Sequence, residues 1–265
     1  MALGVLIGTV GTMVGVGSGW VHVPFLMMVF GFSPQDAIAT SLAVISLNTL
    51  AGSLIYSSQG KIDFYFSSKL AYAALPGAII GPFIVDQYSP TSFNLFFAGF
   101  LILLSYYLFV VRDRIFSSSI RFLQRDKMSM RMPTGEVITY STNIEVGVAG
   151  TFVIGFISNL IGIGGGVIHV PFLIVILGVP PHVAVATSHF ILFVSSAAGT
   201  IVFALMGHVS LNHMMAIGIG TMFGALIGAD LSSKSNEKTI RQVLAMVVFV
   251  IALKLLYETL FGEVR

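Results

Sequence analysis

Apolar and polar positions divide this chain into blocks too long for the core of a soluble domain. Residues 3–31 are apolar but interrupted at Gly15–Gly19, which leaves two pieces each shorter than the ~20 residues of a straight membrane span. They predict two short helices. Residues 37–57, 67–87 and 92–111 predict three ordinary spans, the first opened by the helix-starting turn Ser33-Pro34-Gln35-Asp36. A polar connection, 112–144, follows. The pattern then restarts with 145–178, interrupted at Gly162–Gly166, and spans near 182–206, 213–231 and 240–260.

The restart is a repeat. At an offset of 147 residues, positions 15–64 match 162–211 without a gap, with 17 identities in 50 positions. Gly31/Gly178, Pro34/Pro181, Ala39-Thr40-Ser41/Ala186-Thr187-Ser188, Ala51-Gly52/Ala198-Gly199 and Gly60/Gly207 are among them, and Gly77/Gly224 and Gly81/Gly228 continue the register. The chain therefore reads as a duplicated membrane unit. The units are 1–111 and 145–265, joined by the basic connection 112–144.

Composition agrees. The 265 residues are 56% hydrophobic and 9% charged, with a mean hydropathy of +0.96, which excludes a soluble fold. The expected class is an all-α integral membrane protein. The 28 glycines suit close helix packing, and the absence of cysteine excludes disulfides and thiolate metal sites. A net charge of +2 gives no ground for nucleic-acid binding. Met1-Ala2-Leu3 has no basic region before a short apolar core, so no removable signal peptide is expected.

Charge bias then orients the halves. If each broken segment is a hairpin of two short helices, then 60–66, 112–144 and 231–241 share the cytoplasmic side. Lys61, Lys69, Arg112, Arg114, Arg121, Arg125, Lys127, Arg131, Lys234, Lys238 and Arg241 collect there, and Arg265 lies opposite. If each broken segment crosses once, Lys234, Lys238 and Arg241 fall outside. The first arrangement obeys the positive-inside bias and inverts the halves relative to one another. Each half is then a glycine-broken hairpin followed by three transmembrane helices. Ile115, Phe116, Ile120 and Leu123 give 112–132 one apolar side, as either an interfacial helix or a solvated anchor.

The breaks carry the candidate chemistry. A glycine run inside an apolar segment frees backbone N–H and C=O groups that lipid cannot satisfy, so this backbone must face protein or a polar cavity. Two facing breaks, each leading into a helix start, offer donors and positive dipole ends to an anion; the alternative is that the glycines serve packing alone. The candidate substrate-binding set is Gly17, Ser18, Gly19, Trp20 and His22 at the first break, and Gly164, Gly165, Gly166 and His169 at the second. Thr40-Ser41 and Thr187-Ser188 join it from the following helix starts, where hydroxyls either cap or bind. Asn48, its counterpart Ser195, and Asn159, the counterpart of Thr12, are intramembrane polar groups. His189 has no polar counterpart. The histidines bind substrate, carry a proton or only pack.

What is missing narrows the function. Asp36, Asp63, Asp86, Asp230 and Glu258 fall near span ends, which gives no intramembrane carboxylate site for a metal cation. His182, His208 and His213 lie at turns and form no dense ligand set, so no metal or cofactor is expected. There is no His-Glu-x-x-His, Gly-x-Ser-x-Gly or Walker lysine, hence neither an enzyme nor a nucleotide-driven pump is expected.

Gly162-Ile163-Gly164-Gly165-Gly166 through Val170-Pro171-Phe172-Leu173, then Gly178-Val179-Pro180-Pro181 and Ala184-Val185-Ala186-Thr187-Ser188, resembles the signature of the TauE/SafE family of sulfite and sulfonate exporters. The first half repeats it, with Ser18 and Trp20 as its departures. The resemblance covers about 15–87 and 150–260. It implies a multi-pass secondary transporter of a bacterial or archaeal cytoplasmic membrane, exporting sulfite, sulfoacetate or other organosulfonates with proton coupling by alternating access. The rivals are an anion channel of the same fold and a non-transporting membrane anchor or regulatory subunit. The expected partners are a small anion and the lipid bilayer, with no nucleic acid; homodimerisation is left open.

Overall fold

The computed structural model describes residues 1–14, 19–106, 125–131, 133, 135, 137–231, 246, 249–257 and 259–260. The first half contains α1 (Ala2–Val14), α2 (Gly19–Phe30), α3 (Pro34–Ser58), α4 (Phe64–Val85) and α5 (Pro90–Tyr106). An antiparallel hairpin, β1 (Asp126–Arg131) with β2 (Val137–Thr142), precedes the second half. That half contains α6 (Ile144–Ile161), α7 (Gly166–Pro171) running into a π-turn at Phe172–Ile176, α8 (Pro181–Leu205) and α9 (Leu211–Leu231). Among the described residues, α3, α4, α6, α8 and most of α9 are long and apolar enough to cross a bilayer.

Local chemistry sets the ends. Ser33 caps α3 by accepting from Asp36 N–H, with Pro34 in the first turn. Asp63 caps α4 through Phe66 N–H, and Asn143 caps α6 through Val146 N–H. Gly31 and Gly178, equivalent in the repeat, both turn with positive φ, 67° and 69°.

The halves interlock rather than sit side by side. Helix α1 packs on α9, and its repeat equivalent α6 packs on α4, the equivalent of α9. Both crossings are built on glycine. A Cβ at Gly8 would stand 2.7 Å from Thr221 Cα, and one at its counterpart Gly155 would stand 2.8 Å from Ala74 Cβ. At the centre α3 packs on α8. Leu42 lies against Gly199 and His189 against Gly52, so these two equivalent helices run antiparallel past one another.

Two sequence expectations are corrected. Residues 126–131, in the segment read as either an interfacial helix or a solvated anchor, are a strand and so not helical; the rest, 112–125 and 132, lies almost wholly outside the described residues. Met128, Met130 and Tyr140 turn one face of the hairpin onto Phe66, Leu70 and Leu173, and the Tyr140 hydroxyl donates to Asp63 Oδ2 at 3.0 Å. Burial first, then the Asp63 charge and this hydrogen bond, push the Tyr140 phenol above its usual pKa. The second difference is length. Helix α6 has 18 residues, so this broken segment is one long and one short helix rather than two short ones.

Candidate site at the paired helix breaks

The second break is a chain of left-handed glycines. Gly162 ends α6 at φ 74°, and Gly164 and Gly165 follow at 74° and 78°, backbone that residues with a Cβ rarely adopt. No side chain caps the start of α7. The loop lies against α3: a Cβ at Gly164 would meet Ile45 Cγ2 at 2.9 Å, and Ser41 Oγ donates to Gly162 O at 2.8 Å. The first break arrives at the same place. A Cβ on Gly19 would stand 2.7 Å from the carbonyl carbon and oxygen of Ile163. The two breaks therefore touch across the repeat. Gly17 and Ser18 lie outside the described residues, while Gly19, Trp20, Gly165-adjacent Gly166 and both motif histidines are buried.

Around this contact the polar groups divide into engaged and free. Thr40 Oγ1 accepts from Ser210 N–H at 3.1 Å, and Thr187 Oγ1 accepts from Ser67 Oγ at 3.3 Å, so both threonines tie the start of a helix in the other half. Asn159 Nδ2 donates to Gly155 O and to Ser195 Oγ. His169 Nε2 and Thr151 Oγ1 are 3.1 Å apart. The counterpart of Thr151 is Gly4, which has no hydroxyl to offer, and His22 is left without any ring partner.

The free set is distinctive. Both ring nitrogens of His22, both amide atoms of Asn48, Asn159 Oδ1, Ser188 Oγ, His169 Nδ1 and His189 Nε2 are buried without a hydrogen-bond partner. Each such atom costs ~1–3 kcal/mol until something bonds it, so a concentration of them in a membrane core points to a polar guest. The donors are neutral. They suit a small oxyanion, whose oxygens accept from imidazole N–H, amide and hydroxyl groups without a formal cation. Sequence reasoning missed Ser158, whose buried Oγ is also free and would stand 2.5 Å from a Cβ at Gly165, and Tyr56, whose buried hydroxyl is free. Ser158 lies only one position before Asn159, and Tyr56 lies two turns beyond Asn48 on the same helix face.

Comparison with known proteins decides the family. The model of the family described as sulfite exporter TauE/SafE matches residues 1–255. The chain belongs to the TauE/SafE family. Probable membrane transporter protein YunE of Bacillus subtilis is 35% identical over 99% of this chain and 98% of its own length. Probable membrane transporter protein MJ0441 of Methanocaldococcus jannaschii is 22% identical over 96% and 93%, and YjnA of Bacillus subtilis, likewise a probable membrane transporter protein, is 25% identical over 96% and 97%. No solved structure matches the chain. As a TauE/SafE member with several apolar helices it is a multi-pass membrane transporter.

Proposed function

We propose that this transporter exports small sulfur-containing anions, sulfite, sulfoacetate or other organosulfonates, across a bacterial or archaeal cytoplasmic membrane. The carrying observation is the group of buried, partnerless and uncharged polar side chains, His22, Asn48 and Ser188 foremost, around the contact of the two breaks. Bound sulfite or sulfonate oxygens accept from a His22 ring N–H, Asn48 Nδ2 and Ser188 Oγ, and the glycines let backbone N–H groups near Gly19 and Gly164–Gly166 approach the same anion. Alternating access comes from one half rocking against the other, with proton uptake at a histidine as the driving step.

Antiparallel α3 and α8, and the positive-inside bias that the sequence satisfies when the halves are inverted, support that arrangement. The equivalent turns at Lys61 and His208 then lie on opposite membrane faces. Lys61→Cys should label from the cytoplasm and His208→Cys from outside; labelling of both from one side defeats inversion.

Flux of sulfite and sulfoacetate into proteoliposomes of purified protein tests the function. His22→Ala should slow it by roughly tenfold or more, the loss expected for a hydrogen bond to a charged group. Undiminished flux and pH dependence in His22→Ala, His169→Ala and His189→Ala alike would overturn the reading.

A further inference from the structure

The repeat sets up a comparison at the centre of the molecule. On α3, Asn48, Gly52 and Tyr56 are spaced by one turn and share a face; on α8 the equivalent residues are Ser195, Gly199 and Phe203. His189 of α8 lies on Gly52, where a Cβ would come 2.6 Å from Cδ2 and 3.3 Å from Nε2. Its equivalent in α3, Leu42, lies on Gly199 at 3.4 Å from the same construction. One end of the α3–α8 contact is thus lined by His189 and Tyr56, and the other by Leu42 and Phe203.

The polar end is incomplete as it stands. His189 is 1% exposed and its Nδ1 lies 3.0 Å from Val185 O. A carbonyl only accepts, so Nδ1 carries the hydrogen and the neutral ring presents a bare lone pair at Nε2. That atom has no partner, and neither has the Tyr56 hydroxyl, whose ring stands edge-on to the imidazole with centroids 5.2 Å apart. At the other end the equivalent positions are Leu42 and Phe203, both fully buried and without a titratable group.

We propose that His189 Nε2, assisted by the Tyr56 hydroxyl, is the protonation site that couples transport, taking up its proton in one access state and releasing it in the other. The proposal rests on the transporter reading above and deepens it, separating one proton-carrying histidine from two that contact substrate. In the step itself, the Nε2 lone pair takes a proton from a hydronium ion of the adjoining solution, leaving imidazolium and one water. The new cation stands on Gly52, ~6 Å along α3 from Asn48, and supplies the positive charge that the neutral anion site lacks. Losing the proton removes that charge and weakens the hold on the anion.

Other ionisable groups at this end stand on neighbouring elements: Lys69 Nζ donates to Tyr65 Oη at 2.7 Å on α4, and His182 lies in the first turn of α8. From α3 the ring meets Tyr56. Helix α4 begins at Asp63, whose carboxylate already accepts from Phe66 N–H and Tyr140. The turn between them carries Lys61, whose N–H donates to Tyr56 O. The mirrored end is held differently, with His208 between Asp36 at 2.7 Å and Asp86 at 3.2 Å.

Nitrogen NMR of the intact protein with labelled histidine tests the site directly, its His189 signals being those lost in His189→Gln. At alkaline pH they should report the Nδ1–H tautomer, convert to imidazolium as the pH falls, and shift their midpoint in Tyr56→Phe. A ring that stays neutral throughout, or the opposite tautomer, overturns the proposal. Sulfoacetate, whose sulfonate is ionised at every pH used, serves as the flux probe. Its pH profile should flatten in His189→Gln and persist, at reduced rate, in His22→Gln and His169→Gln. A profile retained in His189→Gln, or lost instead in either of the others, also overturns it. Wild-type protein that moves no sulfur anion at all defeats the transporter reading and this proposal with it, whereas active flux with a His189 ring that never titrates defeats this proposal alone.

Discussion

The two halves of this protein use one packing scheme for different ends, and the shared and unshared positions separate cleanly. Shared are the glycines at the crossings and turns: Gly8 and Gly155, Gly77 and Gly224, Gly31 and Gly178. Each is held by backbone geometry that any copy of the unit requires. Unshared are side chains facing the α3–α8 contact and the breaks: Leu42 against His189, Asn48 against Ser195, Tyr56 against Phe203, Gly4 against Thr151. Duplication fixed the scaffold, and divergence placed polar groups in it unequally. The lesson is that symmetry identifies the frame, while its violations identify the chemistry.

Breaking the frame should hurt most, and equally in both copies. A Cβ at Gly77 would stand 2.6 Å from Phe156 N, and one at Gly224 would stand 2.6 Å from Thr9 N. Gly77→Val and Gly224→Val should each cost at least ~3 kcal/mol and abolish monodisperse protein on size exclusion. A large effect in one and none in the other would show that the crossings are not equivalent.

Next comes a pair where the frame itself is uneven. A Cβ at Gly228 would be 3.0 Å from the Thr9 carbonyl carbon, whereas at Gly81 it would make an ordinary 3.4 Å contact with Asn159 Cβ. Gly228→Ala should lower stability by ~1–3 kcal/mol, seen as a lower melting temperature in detergent. Gly81→Ala should fall within ~0.5 kcal/mol of wild type.

A third comparison lies at the equivalent turns at the ends of α3 and α8. Tyr140→Phe removes a hydrogen bond to the largely buried Asp63 carboxylate and should cost ~1.5–3 kcal/mol at neutral pH. Because the folded state raises the phenol's pKa, that contribution is complete below the ordinary value of ~10 and shrinks as pH rises beyond it. Melting curves of both proteins from neutral to alkaline pH should therefore converge. His208→Gln should cost under ~1 kcal/mol, since Asp36 and Asp86 are 42% and 52% exposed, and the difference should fade in salt.

The spans were legible because lipid demands long apolar runs: 37–57 and 182–206 anticipate α3 and α8 to within a few residues. The repeat was legible for the same reason that glycines survive in it. The β-hairpin was missed although its signal was present. Met128 and Met130, then Ile138 and Tyr140, alternate across Pro133-Thr134-Gly135, a period of two around a turn. The charge of the segment drew attention to lipid headgroups instead. In the site, spacing located the histidines and asparagines but not their engagement. That Thr40 and Thr187 are taken by Ser210 and Ser67 while Ser188 and Asn48 are free depends on helices brought together from opposite halves, which no local pattern encodes.

The interlocking of α1 with α9 and of α4 with α6 bears on how the protein is made. During synthesis α1 enters the membrane some 200 residues before its packing partner Leu211–Leu231 leaves the ribosome, and α4 waits for α6 across the whole basic connection. The first half leaves the ribosome with its glycine faces open to lipid, a nascent intermediate that only the second half can close. Translation of the second half of the message is therefore the assembly step for the whole molecule.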